Sequence, residues 1–383
     1  MPQYFMKINY SYWQAVATLI GTIVGAGILG IPYAISRFGF WPGLIMLVLL
    51  GLAILVVNLM MGEIILRSRI RHQLMGYAKK YLGKWAGATE GFAMLFANFG
   101  ALVAYVIGIG LAVQAIIGGN SFWYSLIFAA IGALFIWLGL KIVKAAELIM
   151  MILLFIAIII IAIIICPHIN YQNLGTTDLS QFFVPYGVLL FAYGGIYSIY
   201  SVRKILDKDR KKIRSAIILA CIIPIVLYAL FAYLIVGLTG LDTTEVATVG
   251  LGEALGPKIL FWANLFAILS MFTSFLAIGV ATYQLFRYDF RLNRIYSWLI
   301  VSLLPVIIFL LGNRFFIKTI TIVGSVAVGL TGVIMILTYW KAKKSKERKP
   351  EYNLPKFKVL GWALIILFIL GTILTLIEEI FLQ

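Results

Sequence analysis

Apolar segments of about 20 residues follow one another along nearly the whole chain, and they constrain its fold more than any other feature. A helix of this length is what crossing the hydrocarbon core of a bilayer requires. Hydrophobic residues make up 63% of the chain and charged residues 12%, with a mean hydropathy of +1.05, which excludes a soluble domain. Because lipid offers no partners to backbone polar groups, the sequence predicts an all-α integral membrane protein.

The apolar segments define the expected membrane topology. We predict eleven spans, at residues 12–36, 42–66, 88–117, 122–140, 145–165, 182–202, 214–238, 259–286, 296–312, 317–340 and 359–380. If the N-terminus is cytoplasmic, 27 of the 31 Lys and Arg residues fall on the cytoplasmic side and 4 fall outside. Cytoplasmic loops are the ones enriched in Lys and Arg, so this split supports a cytoplasmic N-terminus. With eleven spans in the cell membrane, the C-terminus is then expected to be extracellular. The net charge of +17 then reflects topology and not nucleic-acid binding.

The first span contains residues that interrupt helices. Its stretch 21–32 reads Gly-Thr-Ile-Val-Gly-Ala-Gly-Ile-Leu-Gly-Ile-Pro, with four glycines and one proline. These are the poorest helix formers, so we expect the helix to open near residues 24–27 and to resume before Pro32. Broken helices of this kind hold the substrate in secondary transporters. The alternative is a packing face, because Gly21 and Gly25 also form a GxxxG pattern.

The sixth span carries a similar interruption. Gly194 and Gly195 lie in its middle and Pro185 lies near its outer end. Two interrupted spans of opposite direction, five spans apart, predict an inverted five-plus-five repeat. The expected single transporter domain, 1–383, then contains a first repeat, a second repeat, and a cytoplasmic loop with an extra eleventh span, at residues 1–165, 182–340 and 341–383.

The two interruptions have the chemistry to bind an amino acid. Free N–H groups at a helix N-terminus attract a carboxylate, and unwound carbonyl groups attract an ammonium. Tyrosines of span six either cover the site or simply pack. The candidate substrate-binding residues are Val24, Gly25, Ala26, Gly27 and Ile28 in span one, and Phe191, Ala192, Tyr193, Gly194 and Tyr197 in span six.

Hydroxyl groups in span eight suggest a cation site. Ser270, Thr273 and Ser274 lie within about one helical turn and can offer oxygen ligands to a hard cation. With the carbonyl groups of Gly21 and Val24 they predict a five-oxygen sodium site. The alternative is that these hydroxyls bond to carbonyls of their own helix. We expect no cofactor other than sodium as the coupling ion.

Carboxylates in the spans are few. Glu63 is followed by Arg67 four residues later, which predicts a local ion pair. Glu90 and Glu147, at the inner ends of spans three and five, are expected to be structural or gating groups.

Several longer motifs support a family resemblance. They are Gly-Thr-Ile-Val-Gly-Ala-Gly-Ile-Leu-Gly-Ile-Pro-Tyr-Ala at 21–34, Phe-Gly-Phe-Trp-Pro-Gly at 38–43, His-Gln-Leu-Met-Gly-Tyr-Ala-Lys-Lys-Tyr-Leu-Gly-Lys-Trp at 72–85, Gly-Ala-Leu-Val-Ala-Tyr at 100–105 and Phe-Ala-Tyr-Gly-Gly at 191–195. With them the chain resembles the amino acid/auxin permease family of the amino acid–polyamine–organocation superfamily, and most closely the prokaryotic tyrosine/tryptophan and neutral amino acid permeases.

The resemblance implies the leucine-transporter fold, with substrate bound at broken spans one and six. In sodium-coupled relatives, span-one carbonyls and a Thr-Ser pair in span eight hold a sodium ion. The matching positions here are Gly21, Val24, Ser270, Thr273 and Ser274. Proton-coupled relatives also exist.

These observations predict a secondary active amino acid symporter that is sodium-coupled, works by alternating access and functions as a monomer. One alternative is a proton-coupled permease. Another is a ligand sensor, because subunits of spore germinant receptors resemble this superfamily. The sequence argues against an enzyme, since the spans contain no nucleophile–base pair and no cluster of metal ligands.

Overall fold

The chain folds into a bundle of helices. Its computed structural model describes residues 10–70, 72–138, 143–312, 314–345 and 347–379. Within these ranges the side chains of residues 143–152, 154, 253, 288 and 289 are outside the description, and these include that of Glu147. The first half of the chain forms helices α1 (Tyr10–Ile23), α2 (Gly27–Phe38), α3 (Phe40–Arg67), α4 (Leu74–Leu82), α5 (Lys84–Ile117), α6 (Ser121–Leu138) and α7 (Val143–Ile165).

The second half continues in the same way. It forms α8 (Phe183–Ala192), α9 (Ile199–Ile205), α10 (Ile213–Thr239), α11 (Leu251–Leu255), α12 (Pro257–Gln284), α13 (Arg294–Leu310), α14 (Phe316–Val323), α15 (Gly329–Ala342) and α16 (Lys358–Ile377). A π-helical stretch, Gly324–Val328, joins α14 to α15. In the described residues, strand-like pairing is confined to an isolated bridge between Gly39 and Thr177.

The helix lengths establish a multi-pass membrane protein. Among the described residues, eight helical segments are long and apolar enough to cross a bilayer, and the bent pair α1–α2 makes a ninth. The apolar helix Arg294–Leu310, with 17 residues, is slightly short for a straight crossing, whereas α7 has 23 residues, of which the side-chain description covers mainly the second half. The total of eleven spans therefore stays a prediction.

Both predicted interruptions are present. Helix α1 ends at Ile23 and α2 begins at Gly27, and the two helices are bent by 51°. The predicted opening of span one is thus confirmed, with Pro32 inside the resumed helix. In span six, α8 ends at Ala192, and a short 3-10 turn (Ile196–Ser198) precedes α9.

The core lies where the broken helices meet the long ones. Helix α2 packs against α8, and α10 packs against α1, α2 and α3. Helix α5 is the longest and packs against α4, α6, α12 and α14. Three pairs of helices that would be five spans apart are in contact, namely α3 with α10, α5 with α12 and α6 with α13.

Candidate functional site at the two helix breaks

Glycines bring the two interruptions into direct contact. A Cβ atom on Gly27 would lie 2.5 Å from the Cα of Ala192, so only a residue without a side chain permits this approach of α2 to α8. On the other side of the breaks, a Cβ on Gly195 would lie 2.2 Å from Cγ1 of Ile23. Gly27 and Gly195 therefore pack the two spans together, whereas Gly21, one half of the GxxxG pattern, has nothing within 4 Å of an added Cβ.

A tyrosine of α10 holds the two helix ends. Tyr228 Oη donates toward the carbonyl oxygens of Ile23 and Ala192, at 2.9 Å from each. These carbonyls belong to the last residues of α1 and α8, where backbone acceptors lack a partner in their own helix. One hydroxyl hydrogen is shared between two broken spans at a fully buried point. Sequence reasoning missed this residue, because a single tyrosine within an apolar span forms no recognisable pattern.

Gly25 faces a more open and more polar surface. A Cβ placed on it would lie 3.5 Å from Tyr105 Oη of α5 and 3.8 Å from Ser274 Oγ of α12. Tyr105 Oη also faces the backbone of Ala26. Helices α5 and α12 thus bring hydroxyl groups to the interruption of span one, beside the N-terminus of α2.

The predicted tyrosines of span six differ in their surroundings. Tyr193 is buried, its hydroxyl donates to the carbonyl of Leu47 at 3.1 Å, and its ring centroid lies 5.3 Å from that of Tyr228. In this structure Tyr193 packs against α3 and Tyr228. Tyr197 is half-buried, and its hydroxyl lies 3.3 Å from Thr331 Oγ1 of α15.

The remaining candidate substrate residues lie in or next to the breaks. The N–H of Val24 still donates to Ile20 at 2.8 Å, as the last bond of the first helix. The N–H of Gly194 donates to the carbonyl of Phe191 at 3.1 Å. Ile28 lies one residue into α2 and lines a small apolar cavity together with Phe231.

The predicted sodium ligands are only partly brought together. Ser274 lies beside Gly25, as described above. Thr273 Oγ1 donates to the carbonyl of Ser270 at 3.0 Å, which is the local bond that competes with a ligand role. A hydroxyl that donates its hydrogen keeps lone pairs that can bind a cation. Gly21 faces open space. The sodium site stays a prediction.

The segment 243–250 is bound to α2 shortly after the first break. Its Ala247 N–H donates to the carbonyl of Leu29 at 2.9 Å. Glu245 Oε2 accepts the N–H groups of Phe316 and Ile317 at 2.9 and 3.2 Å, at the start of α14. Burial raises the pKa of Glu245, and these two N–H donors act in the opposite direction. The segment is therefore tied to both α2 and α14.

A charged network lies at the C-terminal ends of α3 and α15. Glu63 is fully buried, and its Oε1 lies 2.7 Å from Arg67 Nε and 3.0 Å from Lys343 Nζ. The N–H of Leu354 donates to Glu63 Oε2 at 2.7 Å. The predicted ion pair of Glu63 and Arg67 is confirmed. The network is larger than predicted and ties the segment 343–357 to α3.

Comparison with known proteins identifies the class of the molecule. The sequence model of the tryptophan/tyrosine permease family matches residues 8–378. The chain belongs to this family. It is a membrane permease and not an enzyme. This agrees with the resemblance to prokaryotic aromatic and neutral amino acid permeases.

Three known transport proteins are similar to this chain over nearly its whole length. Glutamine transporter 2 of Aliivibrio fischeri is 22% identical over 390 residues, which cover 97% of this chain and 100% of that one. Tyrosine-specific transport system 1 of Haemophilus influenzae is 27% identical over 381 residues, 93% of each chain. The tryptophan-specific transport protein of the same organism is 25% identical over 400 residues, 94% of each chain.

Proposed function

We propose that this permease is a secondary active amino acid symporter that binds its substrate at the two helix breaks. The observation that carries the proposal is the direct contact of the breaks at Gly27 and Ala192. Interrupted helices are used at membrane depth only where they line a cavity or are buried in protein. Relatives named for glutamine, tyrosine and tryptophan transport support an amino acid as the substrate.

The two ends of an amino acid fit different parts of the breaks. The first N–H groups of α2 have no partner in their own helix, so they suit the carboxylate. The ammonium suits the carbonyl of Gly194, because the carbonyl of Ala192 already accepts from Tyr228 and that of Phe191 accepts from the N–H of Gly194. The hydroxyl of Tyr105 lies beside Gly25 and the backbone of Ala26, so it is placed to contact the substrate too.

Exposure of polar residues supports alternating access. Gln14 and Thr22 of α1 are exposed, and Ser198 Oγ donates to Thr22 Oγ1 at 2.7 Å. Polar groups of a spanning helix avoid lipid, so this face is assigned to a water-filled pathway. With a cytoplasmic N-terminus the pathway opens inward, while the segment 243–250 closes the outer side.

The architecture we propose for this motion is the inverted five-plus-five repeat with an eleventh span, acting as a monomer. The contacts of α3 with α10, α5 with α12 and α6 with α13 support the repeat, because equivalent helices of the two halves lie side by side.

Sodium is proposed as the coupling ion, held by carbonyls of Gly21 and Val24 and by Ser270, Thr273 and Ser274. The proximity of Ser274 to Gly25 supports a site between α12 and the first break. An ion there would fix span one against span eight. By reciprocity, sodium then tightens substrate binding by the same factor, typically about 5- to 150-fold.

The test is counterflow of the common amino acids into proteoliposomes, with sodium or with choline at fixed pH. We expect a subset of amino acids to exchange, and more tightly in sodium. Thr273→Ala combined with Ser274→Ala should remove the sodium dependence, whereas Thr282→Ala, a hydroxyl loss elsewhere on α12, should keep it. Equal affinity in sodium and in choline, with uptake driven by a pH gradient, would contradict the sodium assignment and favour a proton-coupled permease.

Two further controls address the binding mode and the alternative class. A methyl ester of an accepted amino acid should not bind, because the N-terminus of α2 loses its anion. Uptake by the purified chain alone argues against a sensor subunit that requires partners. Failure of every amino acid to exchange would contradict the proposed function itself.

A further inference from the structure

Glu90 of α5 is a fully buried carboxyl group that the proposed site does not use. Its side chain is 0% exposed, and its Oε1 accepts a hydrogen bond from Thr331 Oγ1 of α15 at 3.2 Å. Its Oε2 is buried and has no hydrogen-bond partner among the described residues. Most buried polar atoms in proteins have a partner, so this oxygen needs an explanation.

No opposite charge compensates Glu90 in the described part of the chain. The ion pairs of Glu63, Glu347 and Glu351 each involve basic groups elsewhere, and none includes Glu90. An ionised carboxylate in such surroundings is very costly, so the neutral acid is the form that this conformation accommodates. A proton on Oε2 leaves Oε1 free to accept from Thr331.

A hydrogen-bond chain connects this carboxyl group to the second break. Thr331 bonds Glu90 on one side and lies 3.3 Å from Tyr197 Oη on the other. Tyr197 belongs to the 3-10 turn that continues span six beyond its interruption. Thr331 follows the π-helical stretch Gly324–Val328, a geometry that is frequent at functional sites.

Among the described residues, the polar side chains that face Glu90 come from two neighbouring elements. They are Thr331 of α15 and Tyr197 of the turn after α8, and Tyr197 is the titratable one. Ca²⁺ takes about six to eight oxygen ligands and the sodium site proposed above would use five, whereas this cluster offers one carboxyl group and two hydroxyls. The cluster therefore suits a proton and not a metal ion.

We propose that Glu90 is a proton-binding site of this permease, coupled to amino acid binding through Thr331 and Tyr197. The carboxylate takes up one proton on Oε2 to become the neutral acid, and it returns that proton to water in a conformation that opens the proposed inward pathway to Glu90. Ionisation would pull the Thr331 hydroxyl toward the charge and away from Tyr197, which changes the second break. The inference rests on the proposed function, but it does not depend on sodium.

The test measures binding without any transport. The full chain is placed in lipid nanodiscs, and the affinity for radiolabelled L-tyrosine, L-tryptophan and L-glutamine is determined at fixed sodium from about pH 5 to about pH 8.5, where these amino acids keep their zwitterionic form. Proton uptake or release on binding is followed with an indicator dye in weak buffer. We expect the affinity to vary about 5-fold or more with pH, with proton exchange on binding.

Glu90→Gln keeps the shape and the acceptor for Thr331 but cannot bind a proton. It should retain binding, lose the pH dependence and abolish the proton exchange, whereas Glu351→Gln in the segment 343–357 should behave as the unmodified chain. Full pH dependence in Glu90→Gln would overturn the proposal. Binding without pH dependence in the unmodified chain would overturn it while leaving the proposed function intact, and no binding at all would contradict both.

Thr331→Val tests the proposal independently, even if Glu90→Gln does not fold. The Thr331 hydroxyl donates to the carboxyl group, and a donor favours the ionised form. Its removal should move the midpoint of the pH dependence to higher pH. An unchanged midpoint in Thr331→Val would likewise contradict the assignment.

Discussion

Gly27 and Ala192 are in backbone contact across the two broken spans, since a methyl group on Gly27 would come within 2.5 Å of the Cα of Ala192. The contact lies at the first residue of α2 and the last residue of α8. Because backbone cannot move aside as a side chain can, the two breaks behave as one unit.

Gly27→Ala should destabilise the protein. The added methyl group must push α2 away from α8, and overpacking of this kind costs about 1–3 kcal/mol. Thermal unfolding in detergent measures the effect. Gly21→Ala is the matched control, because nothing lies within 4 Å of its added Cβ, and we expect it to be neutral or stabilising. Equal stability of both variants would contradict the close contact.

Gly25→Val should weaken substrate binding without unfolding the protein. Its first side-chain atom meets Tyr105 Oη at 3.5 Å, an ordinary contact, so the fold tolerates it. The side chain would occupy the space where a ligand approaches the backbone of the first break. We expect a loss of affinity of about 10-fold or more, or about 1.4 kcal/mol. Unchanged affinity would move the site away from Gly25.

Tyr228→Phe should loosen the two helix ends. It removes the hydroxyl that reaches the carbonyls of Ile23 and Ala192 and leaves buried acceptors, at a cost of about 1–3 kcal/mol. Hydrogen exchange around the two breaks should increase. Tyr233→Phe on the same helix removes a hydroxyl away from both carbonyls and should leave that exchange unchanged. Faster exchange in both variants would mean a general effect on α10.

Glu63→Gln should destabilise the network that holds the segment 343–357. It leaves the buried Arg67 and Lys343 without their anion, and breaking a buried pair costs about 3–5 kcal/mol. The thermal midpoint should fall and the segment should exchange hydrogen faster. Glu347→Gln breaks a more exposed pair with Lys80 and should cost about 1 kcal/mol or less. A smaller effect for Glu63→Gln than for Glu347→Gln would contradict the prediction.

The Glu347 pair should also disappear in acid. The hydrogen bond from Lys80 lowers the pKa of Glu347 below its ordinary value of 4.5. A lowered pKa in the folded state means that the pair stabilises above pH 4.5 and that this contribution is lost as the pH falls through the lower value. In Glu347→Gln this part of the loss of stability in acid should be absent. Unfolding curves of the unmodified chain and of the variant, recorded above and below pH 4.5, measure the difference.

The orientation is tested with single cysteines. In a Cys166→Ser background, which removes an exposed thiol, Asp242→Cys should react with an impermeant thiol reagent added to intact cells. Lys208→Cys should react only after the membrane is opened. The reverse pattern would invert the topology and with it the proposed direction of the pathway.

Local sequence was sufficient to predict the break in span one. Gly25 and Gly27 within an apolar segment oppose a continuous helix whatever surrounds them, so the opening between Ile23 and Gly27 follows from propensity. The pair of Glu63 with Arg67 was predictable for the same reason, because a spacing of four residues places both side chains on one face of a helix.

Contacts between distant segments were not predictable in this way. Lys343 and Leu354 join Glu63 from nearly 300 residues away, and no local pattern marks them. The same holds for Thr331 beside Glu90. Sequence places Glu90 inside a span but does not show whether a basic group reaches it.

The sequence by itself determined that the chain is an all-helical membrane protein and where two of its spans break, because hydrophobic length and the poor helix propensity of glycine act on neighbouring residues. The tertiary structure decided what those breaks face: Tyr228 on both helix ends, Tyr105 and Ser274 at Gly25, and Thr331 between Glu90 and Tyr197. These contacts depend on how helices from far apart in the chain pack, and packing is fixed by the combined shape of many side chains and not by any short stretch.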